Sequence, residues 1–159
     1  MVLPSATLRF VERARIAGLV VEPIEFPEGT RTAVDAAAAI GCDVAEIVKS
    51  LVFMTDGAAV LALIPGDRRL DVAGLAAASG TTKVRRAGLD EVRDATGFAA
   101  GGTPPIGHSR PIRTFADHGL RRFERLWAAA GTPTTVFPIS LDDLERFAAP
   151  KWADLAEGP

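Results

Sequence analysis

The sequence predicts a mixed α/β (α+β) domain whose sheet is largely antiparallel or mixed. Three observations carry that expectation. Capped helical segments alternate with Val/Ile-rich runs, and two apolar runs flank Asp56-Gly57, a strong hairpin signal. A block of four Gly and two Pro within twelve residues, Gly97 to His108, then breaks the regular pattern. Hairpins outnumber clean βαβ units, which argues against an all-parallel sheet. At 159 residues the chain fits a single domain, 1–159, with enough length to bury a core unaided.

The elements run in order along the chain. Ser5 is expected to cap a first helix, about 5–18, with Leu8, Val11 and Arg15 on one face and Gly18 as its stop. Residues 19–26 read as a strand that Pro23 confines to an edge or bulge. Thr32 to Asp35 resembles a capping box and opens an Ala-rich helix that stops at Gly41. Asp43 and Glu46 repeat that signature ahead of Val44, Ile47 and Val48, predicting a short helix that delivers Lys49. The hairpin begins at Ser50. Asp71 and Asp90 start two further helices that end near Gly80 and Gly97, with a brief strand at Lys83 to Arg86 between them. After the Gly/Pro block come strands at 112–115, 125–129 and 136–139, with a turn at Gly131-Thr132-Pro133. Ser140 caps a last helix over Leu141, Leu144 and Phe147.

Composition excludes several classes. One cysteine, Cys42, permits no internal disulfide and no thiolate metal cluster, and two histidines are too few for a His-rich site. No metal and no cofactor is expected. The longest apolar stretch, Ala58 to Ile64, is far short of the ~20 residues of a membrane span. The start of the chain lacks the basic and apolar regions of a signal peptide, so a cytoplasmic protein without a membrane partner is expected. A net charge of −2 argues against coating nucleic acid by bulk charge. The charge is uneven, however. Residues 83–125 carry nine Lys/Arg against five acids, whereas residues 1–80 carry seven against ten. That basic stretch is either a solvated face or a landing strip for phosphates, with Lys83, Arg85, Arg86, Arg110 and Arg113 as the contacts.

Two features could carry chemistry. In the Gly/Pro loop, glycines let a ligand approach the backbone while Pro104 and Pro105 stiffen it, which suits an oxyanion or phosphate cradle; a structural crossover fits equally. The spacing is neither a dinucleotide fingerprint nor a P-loop. Lys49 is the only lysine before position 83 in a chain with 15 Arg and 3 Lys. At an apolar junction it supplies a compact ammonium, or it complements a helix C-terminus. His108 borders the loop, so it could bind substrate, move a proton or brace the loop. His118 reads as a turn or cap residue. Cys42 has no visible base and reads as an inert small residue, and Ser50 likewise lacks a base.

Thr32-Ala33, Ile47-Val48-Lys49-Ser50-Leu51, Pro65-Gly66-Asp67, Gly97-Phe98, Gly101-Gly102-Thr103-Pro104-Pro105-Ile106-Gly107, Asp117, Ala130-Gly131 and Asp143-Leu144 occur in that order. Together they resemble the YbaK and prolyl-tRNA-synthetase-associated editing domain family of aminoacyl-tRNA deacylases, over about residues 20–159. The resemblance implies a mixed, β-barrel-like sheet surrounded by helices, with a cavity for the aminoacyl group on a tRNA 3′ end. It places the functional lysine on Lys49 and the family's backbone loop on Gly101 to Pro105. Phe26 is a looser match to an aromatic pocket wall. Phe98 stands where many relatives carry Tyr, and Ala129 where some carry a small polar residue, so side-chain selectivity does not transfer.

The resulting expectation is a trans-editing deacylase acting on a small amino acid mischarged on tRNA(Pro) or a related tRNA. Lys49 and the N–H groups of Gly101 and Gly102 would stabilise charge while a water attacks. Phe26, Thr103, Pro104, Pro105, Gly107, His108 and Gly131 would line the substrate site. The partners are the acceptor end of aminoacyl-tRNA and a cognate synthetase, with the protein a monomer or weak dimer. The rivals are a non-catalytic tRNA- or synthetase-binding module and a metabolite esterase, for which no triad is present.

Overall fold

A computed structural model describes residues 2–30 and 32–158. Among these described residues, five helices and a mixed sheet form the domain. The order is α1 (Ser5–Ala17), β1 (Ile24–Glu25), α2 (Ala33–Ile40), a 3-10 turn (Val44–Glu46), β2 (Ile47–Thr55), β3 (Ala58–Pro65), β4 (Arg69–Leu70), α3 (Val72–Ser79), β5 (Val84–Arg86) and α4 (Leu89–Thr96). After the Gly/Pro loop come β6 (Arg113–Asp117), a 3-10 turn (His118–Arg122), β7 (Arg125–Ala129), β8 (Thr135–Ser140), α5 (Leu141–Ala148), β9 (Lys151–Ala153) and β10 (Ala156–Glu157). The expected mixed sheet with surrounding helices is what the chain forms.

Strand order is β1-β8-β7-β2-β3-β6-β9, with β4 and β10 as a separate pair. The β2–β3 hairpin is the centre, and Asp56 (φ 47°) and Gly57 (φ 87°) turn it with positive φ at both residues, as the Asp-Gly signal requires. β7 and β6 then pair in parallel with β2 and β3 respectively, so parallel pairs flank the central hairpin; β9 continues in parallel beyond β6, whereas β8 and β1 are antiparallel beyond β7. The ladder has one break, along the β2 edge away from β3. Ile47 and Val48 pair there with Trp127 and Ala128 of β7, while Phe53 to Thr55 pair with β5. Between them neither strand accompanies β2, and the sheet opens beside Lys49, Ser50 and Leu51.

The helices cover the sheet through three apolar clusters. The largest joins Phe10 and Ala14 of α1 and Leu144 of α5 to Val48, Val52, Leu61, Leu63, Leu126 and Phe137 of the sheet. Leu75 of α3 packs with Phe53, Ile64 and Phe115, and α2 packs Ala36 and Ala37 on Ile47, Trp127 and Val136. Asp117, 7% exposed, ties the C-terminal segment down: its carboxylate accepts from the N–H groups of Gly119, Leu155 and Ala156.

Several element boundaries differ from expectation. Ser5 does not cap α1; Pro4 holds that position without a side-chain bond. The buried face of α1 is Thr7, Phe10 and Ala14, whereas Leu8 is half exposed and Arg15 pairs with Glu12 in solvent. The strand expected over 19–26 shortens to two paired residues, because only Ile24 and Glu25 reach β8. The helix over 89–96 is entered at Gly88, whose N–H donates to Glu91, so Asp90 lies inside it. Asp43 and Glu46 do form a reciprocal box, but on a 3-10 turn of three residues, and the chain turns extended at Ile47. Lys49 therefore sits within a strand, paired opposite Ile64, and complements no helix end.

Candidate functional site

A cleft of about 400 Å³ opens where β2 is released from β7 and has not yet met β5. That volume is in the range of small-ligand sites. Its floor is formed by Val48, Lys49, Ser50 and Leu51 of β2 and by Trp127, Ala128 and Ala129 of β7. One wall is the first turn of α2 with Thr32, Ala33 and Val34; the other is Gly101 and Thr103 of the Gly/Pro loop. Arg86 reaches it from β5 and Gly66 from the β3–β4 turn. Gly66 is required there, since a Cβ would lie 2.4 Å from the Val44 carbonyl oxygen and 2.8 Å from Ala33 Cβ.

Lys49 is half-buried, and its ammonium donates to the Arg68 carbonyl in the turn after Gly66. Burial lowers its pKa, the Asp67 carboxylate opposes that shift, and Arg86 adds to it. Among the described residues the cleft thus carries two cations, Lys49 and Arg86, against one nearby carboxylate, Asp67. Two buried polar atoms lack hydrogen-bond partners among the described residues, Ser50 Oγ and Asp67 Oδ1, and both belong to this corner. Ser50 also faces the cleft with its peptide group. The Val52 carbonyl accepts from Ala87 on the β5 side, so the two-residue period of the strand turns the Ser50 N–H and C=O to that same open edge.

The loop's geometry separates its residues into different tasks. Gly102 does not offer its N–H to a ligand, because that group donates to the Ala99 carbonyl. Its carbonyl accepts from Gly131 N–H at 2.9 Å, and a Cβ on Gly102 would lie 2.6 Å from Thr132 Cα. Gly102 and Gly131 are therefore the close contact between the loop and the β7–β8 turn. The N–H groups of Gly101 and Thr103 have no acceptor among the described residues and remain as donors at the cleft wall. Thr103 Oγ1 is spent on the Ala99 carbonyl.

Other expected site residues lie elsewhere. Phe26 stands behind the wall, packed with Ala36, Ile47, Trp127 and Val136, and Trp127 is the aromatic that reaches the cleft. Pro105, Gly107 and His108 face a second groove on the far side of the loop, against Arg13 of α1 and Phe147 of α5. Pro104 is buried, and its carbonyl is met by His108 Nε2 at 2.7 Å. A carbonyl only accepts, so Nε2 carries the hydrogen and His108 braces the loop. Cys42 is half-buried beside α2, and burial together with Glu46 and Asp43 raises its pKa, which suits an inert thiol. His118 stacks on Trp152.

The basic stretch is dispersed. Arg85 is held by both oxygens of Glu91, Arg110 by Asp94, and Arg113 by the Ser79 carbonyl over the Phe115 ring. Lys83 is exposed, and only Arg86 of the five lines the cleft. Sequence reasoning did not single out Trp127, Thr30, Val34 or Val136. The alternation Arg125, Trp127, Ala129 was the one available sign, since it sets those three on one face of β7.

The brace at His108 has a pH consequence. Burial first, then the Arg13 charge, depress its pKa below 6.5, while the bond to Pro104 opposes them. The unfolded chain then binds a proton that the native state resists, so stability falls as pH drops from 6.5 toward the native pKa. The slope from this group reaches at most about 1.4 kcal/mol per pH unit. Urea unfolding between neutral pH and pH 5 should show this loss in the wild type. It should be absent, beyond the dependence common to both proteins, in His108→Gln, which retains an N–H donor and has no titration.

A mixed-sheet domain with a cationic, largely apolar cleft beside a glycine loop is thus defined. The chain belongs to the aminoacyl-tRNA editing domain family, whose model matches residues 27–147. A solved structure described as a provisional trans-editing enzyme for prolyl-tRNA synthetase superposes with a TM-score of 0.93 at 38% identity, covering 99% of this chain and all of that one. EbsC of Enterococcus faecalis, provisionally named a Cys-tRNA(Pro)/Cys-tRNA(Cys) deacylase, is 30% identical over 78% of this chain and 76% of its own. The proline–tRNA ligase of Thermosipho africanus is 28% identical over 82% of this chain, which spans only 23% of that enzyme.

Proposed function

We propose that this protein is a trans-editing aminoacyl-tRNA deacylase that hydrolyses the ester of a small amino acid mischarged on tRNA(Pro) or a related tRNA. The observation that carries this reading is the cleft's lining. It holds a half-buried ammonium and free backbone N–H groups, but no carboxylate, imidazole or thiol among the described residues. Such a site suits a substrate that is already activated. An aminoacyl ester needs positioning and charge stabilisation more than a strong nucleophile.

In the reaction a water oxygen attacks the ester carbonyl carbon. The bond from that carbon to the ribose oxygen breaks, the ribose oxygen takes a proton, and the amino acid leaves as its carboxylate. Lys49 stabilises the developing oxyanion or the terminal phosphate, and the Gly101 and Thr103 N–H groups hold the carbonyl end. The Ser50 peptide edge, on the open side of β2, would orient the water or the ribose hydroxyl. Arg86 meets the acceptor-end backbone in a contact that is salt-sensitive and blind to sequence. Ala33, Ala129, Val136 and Trp127 leave an apolar space for a short side chain. The similarity to a domain within proline–tRNA ligases supports prolyl-tRNA synthetase as the associated enzyme and the cytoplasm, where charged tRNA is used, as the site of action.

The test is a panel of tRNA(Pro) charged with proline, alanine, serine, cysteine or threonine, with release of the amino acid followed over time. One or more of the small, wrongly placed residues should be released faster than proline. Uniform release at the rate of buffer alone would refute the reading. Because one methylene or hydroxyl in an apolar pocket is worth about 1–3 kcal/mol, discrimination among the small residues should be graded.

A further inference from the structure

The helix α1 lies wholly outside the stretch that the family model matches, 27–147, yet it touches both the glycine loop that walls the cleft and the β7–β8 turn behind that loop. Arg9 Nη2 donates to the Gly97 carbonyl at 2.8 Å, at the start of the loop. Arg13 Nη1 points at the Gly107 carbonyl at 3.4 Å, at its end. The two guanidinium groups lie 5.4 and 5.7 Å from the Phe98 ring centre, over a side chain that is 1% exposed. Phe10 packs edge-on against that ring, and a Cβ on Gly107 would meet Phe10 at 3.0 Å. A backbone bond from Ser109 N–H to the Thr96 carbonyl closes the loop ends.

The same helix also holds the β7–β8 turn against which the loop packs. Thr7 Oγ1 and Thr135 Oγ1 are 2.9 Å apart in the buried interior, and Thr135 Oγ1 is 2.8 Å from Thr132 Oγ1. A Cβ on Gly131 would lie 2.9 Å from the Ala6 carbonyl oxygen, so this turn rests directly on the α1 backbone. Loop and turn are joined to each other through Gly131 N–H and the Gly102 carbonyl. One rigid helix therefore fixes both partners of that contact, and with them the N–H groups of Gly101 and Thr103.

We infer that Arg9 and Arg13 are positioning residues for deacylation, acting through the Gly97–Gly107 loop without touching the substrate. This rests on the deacylase function proposed for the cleft. Neither guanidinium lines the cleft, so their loss should leave tRNA binding intact and lower the rate of the chemical step.

The experiment compares wild type, Arg9→Gln/Arg13→Gln and Arg9→Lys/Arg13→Lys in three readouts. These are single-turnover deacylation of the best substrate, thermal unfolding, and amide hydrogen exchange across residues 97–107. The Gln pair should lose about tenfold in kcat with KM within about twofold, because misplacing a positioned group by about 1 Å costs about 10²-fold and a smaller shift less. Exchange in the loop should quicken while Tm moves by only a few degrees. The Lys pair, which keeps a cation over Phe98 and a donor to each carbonyl, should recover most of the rate. A Gln pair with wild-type kcat, or with a lowered kcat and unchanged loop exchange, overturns the assignment. Should the Gln pair not fold, Arg9→Gln alone, which removes one exposed bond, is read by the same criteria. If the wild type hydrolyses no charged tRNA, the functional reading fails, and loop exchange alone decides whether the helix sets the loop: quickened exchange supports it, unchanged exchange refutes it.

Discussion

Lys49→Ala is expected to lower single-turnover deacylation by about 10²–10³-fold, the range seen when one preorganised stabiliser of developing charge is removed. The ammonium is held in place from two sides, by the strand that carries it and by the Arg68 carbonyl. It is also partly withdrawn from water, which strengthens its action on a charge forming in the cleft. Among the described residues no other side chain replaces it: Arg86 enters from β5 and the rest of the described lining is neutral. Lys49→Arg should not restore the rate, because a planar guanidinium does not fit the slot of a compact ammonium. The fold should survive both changes, since Lys49 is half-buried and makes one hydrogen bond. Hydrolysis by Lys49→Ala at the wild-type rate would show that the lysine takes no part in the chemistry.

The second large effect is expected at Gly102. An added methyl would stand 2.6 Å from Thr132 Cα and 2.8 Å from its backbone N and C, and a backbone does not yield as the end of a flexible side chain does. Gly102→Ala must push the loop off the β7–β8 turn and stretch the Gly131 N–H bond to the Gly102 carbonyl. Overpacking of this kind costs about 1–3 kcal/mol in stability, and displacing the Gly101 and Thr103 donors should cost at least about tenfold in rate. Gly101→Ala is the comparison. At φ +84° it is strained, but its nearest non-neighbouring atom, Pro133 Cγ, is 3.9 Å away, so about 1 kcal/mol is lost without a clash. Denaturant unfolding and deacylation of the two variants decide the matter. Equal behaviour of Gly101→Ala and Gly102→Ala would contradict the close-contact reading.

Local chemistry was legible wherever one short stretch decides the outcome. Asp56-Gly57, the stops at Gly18, Gly41, Gly80 and Gly97, and the caps Thr32 and Ser140 all act through their own backbone neighbours. The face of α1 was not, because Phe10 and Ala14 are chosen by contacts with Phe98 and Phe137, far along the chain. Lys49 was legible as a lone lysine at an apolar junction, but its strand was not, since the 3-10 turn before it copies a helix start. The loop was legible as an irregular Gly/Pro segment, whereas which of its N–H and C=O groups are engaged depended on where Thr132, His108 and Arg13 meet it. Net charge pointed at a basic stretch, but Glu91 and Asp94 already engage two of its arginines.

Catalytic turnover in the cleft beside Lys49 is open to a direct count. The wild-type protein, at a concentration far below that of tRNA(Pro) charged with a small non-cognate amino acid, is mixed with it and the released amino acid is counted per molecule of protein. Many releases per molecule, well above spontaneous hydrolysis, are expected of a deacylase. Tight binding of the charged tRNA with release no faster than in buffer would contradict that function and would make the domain a recruiting module.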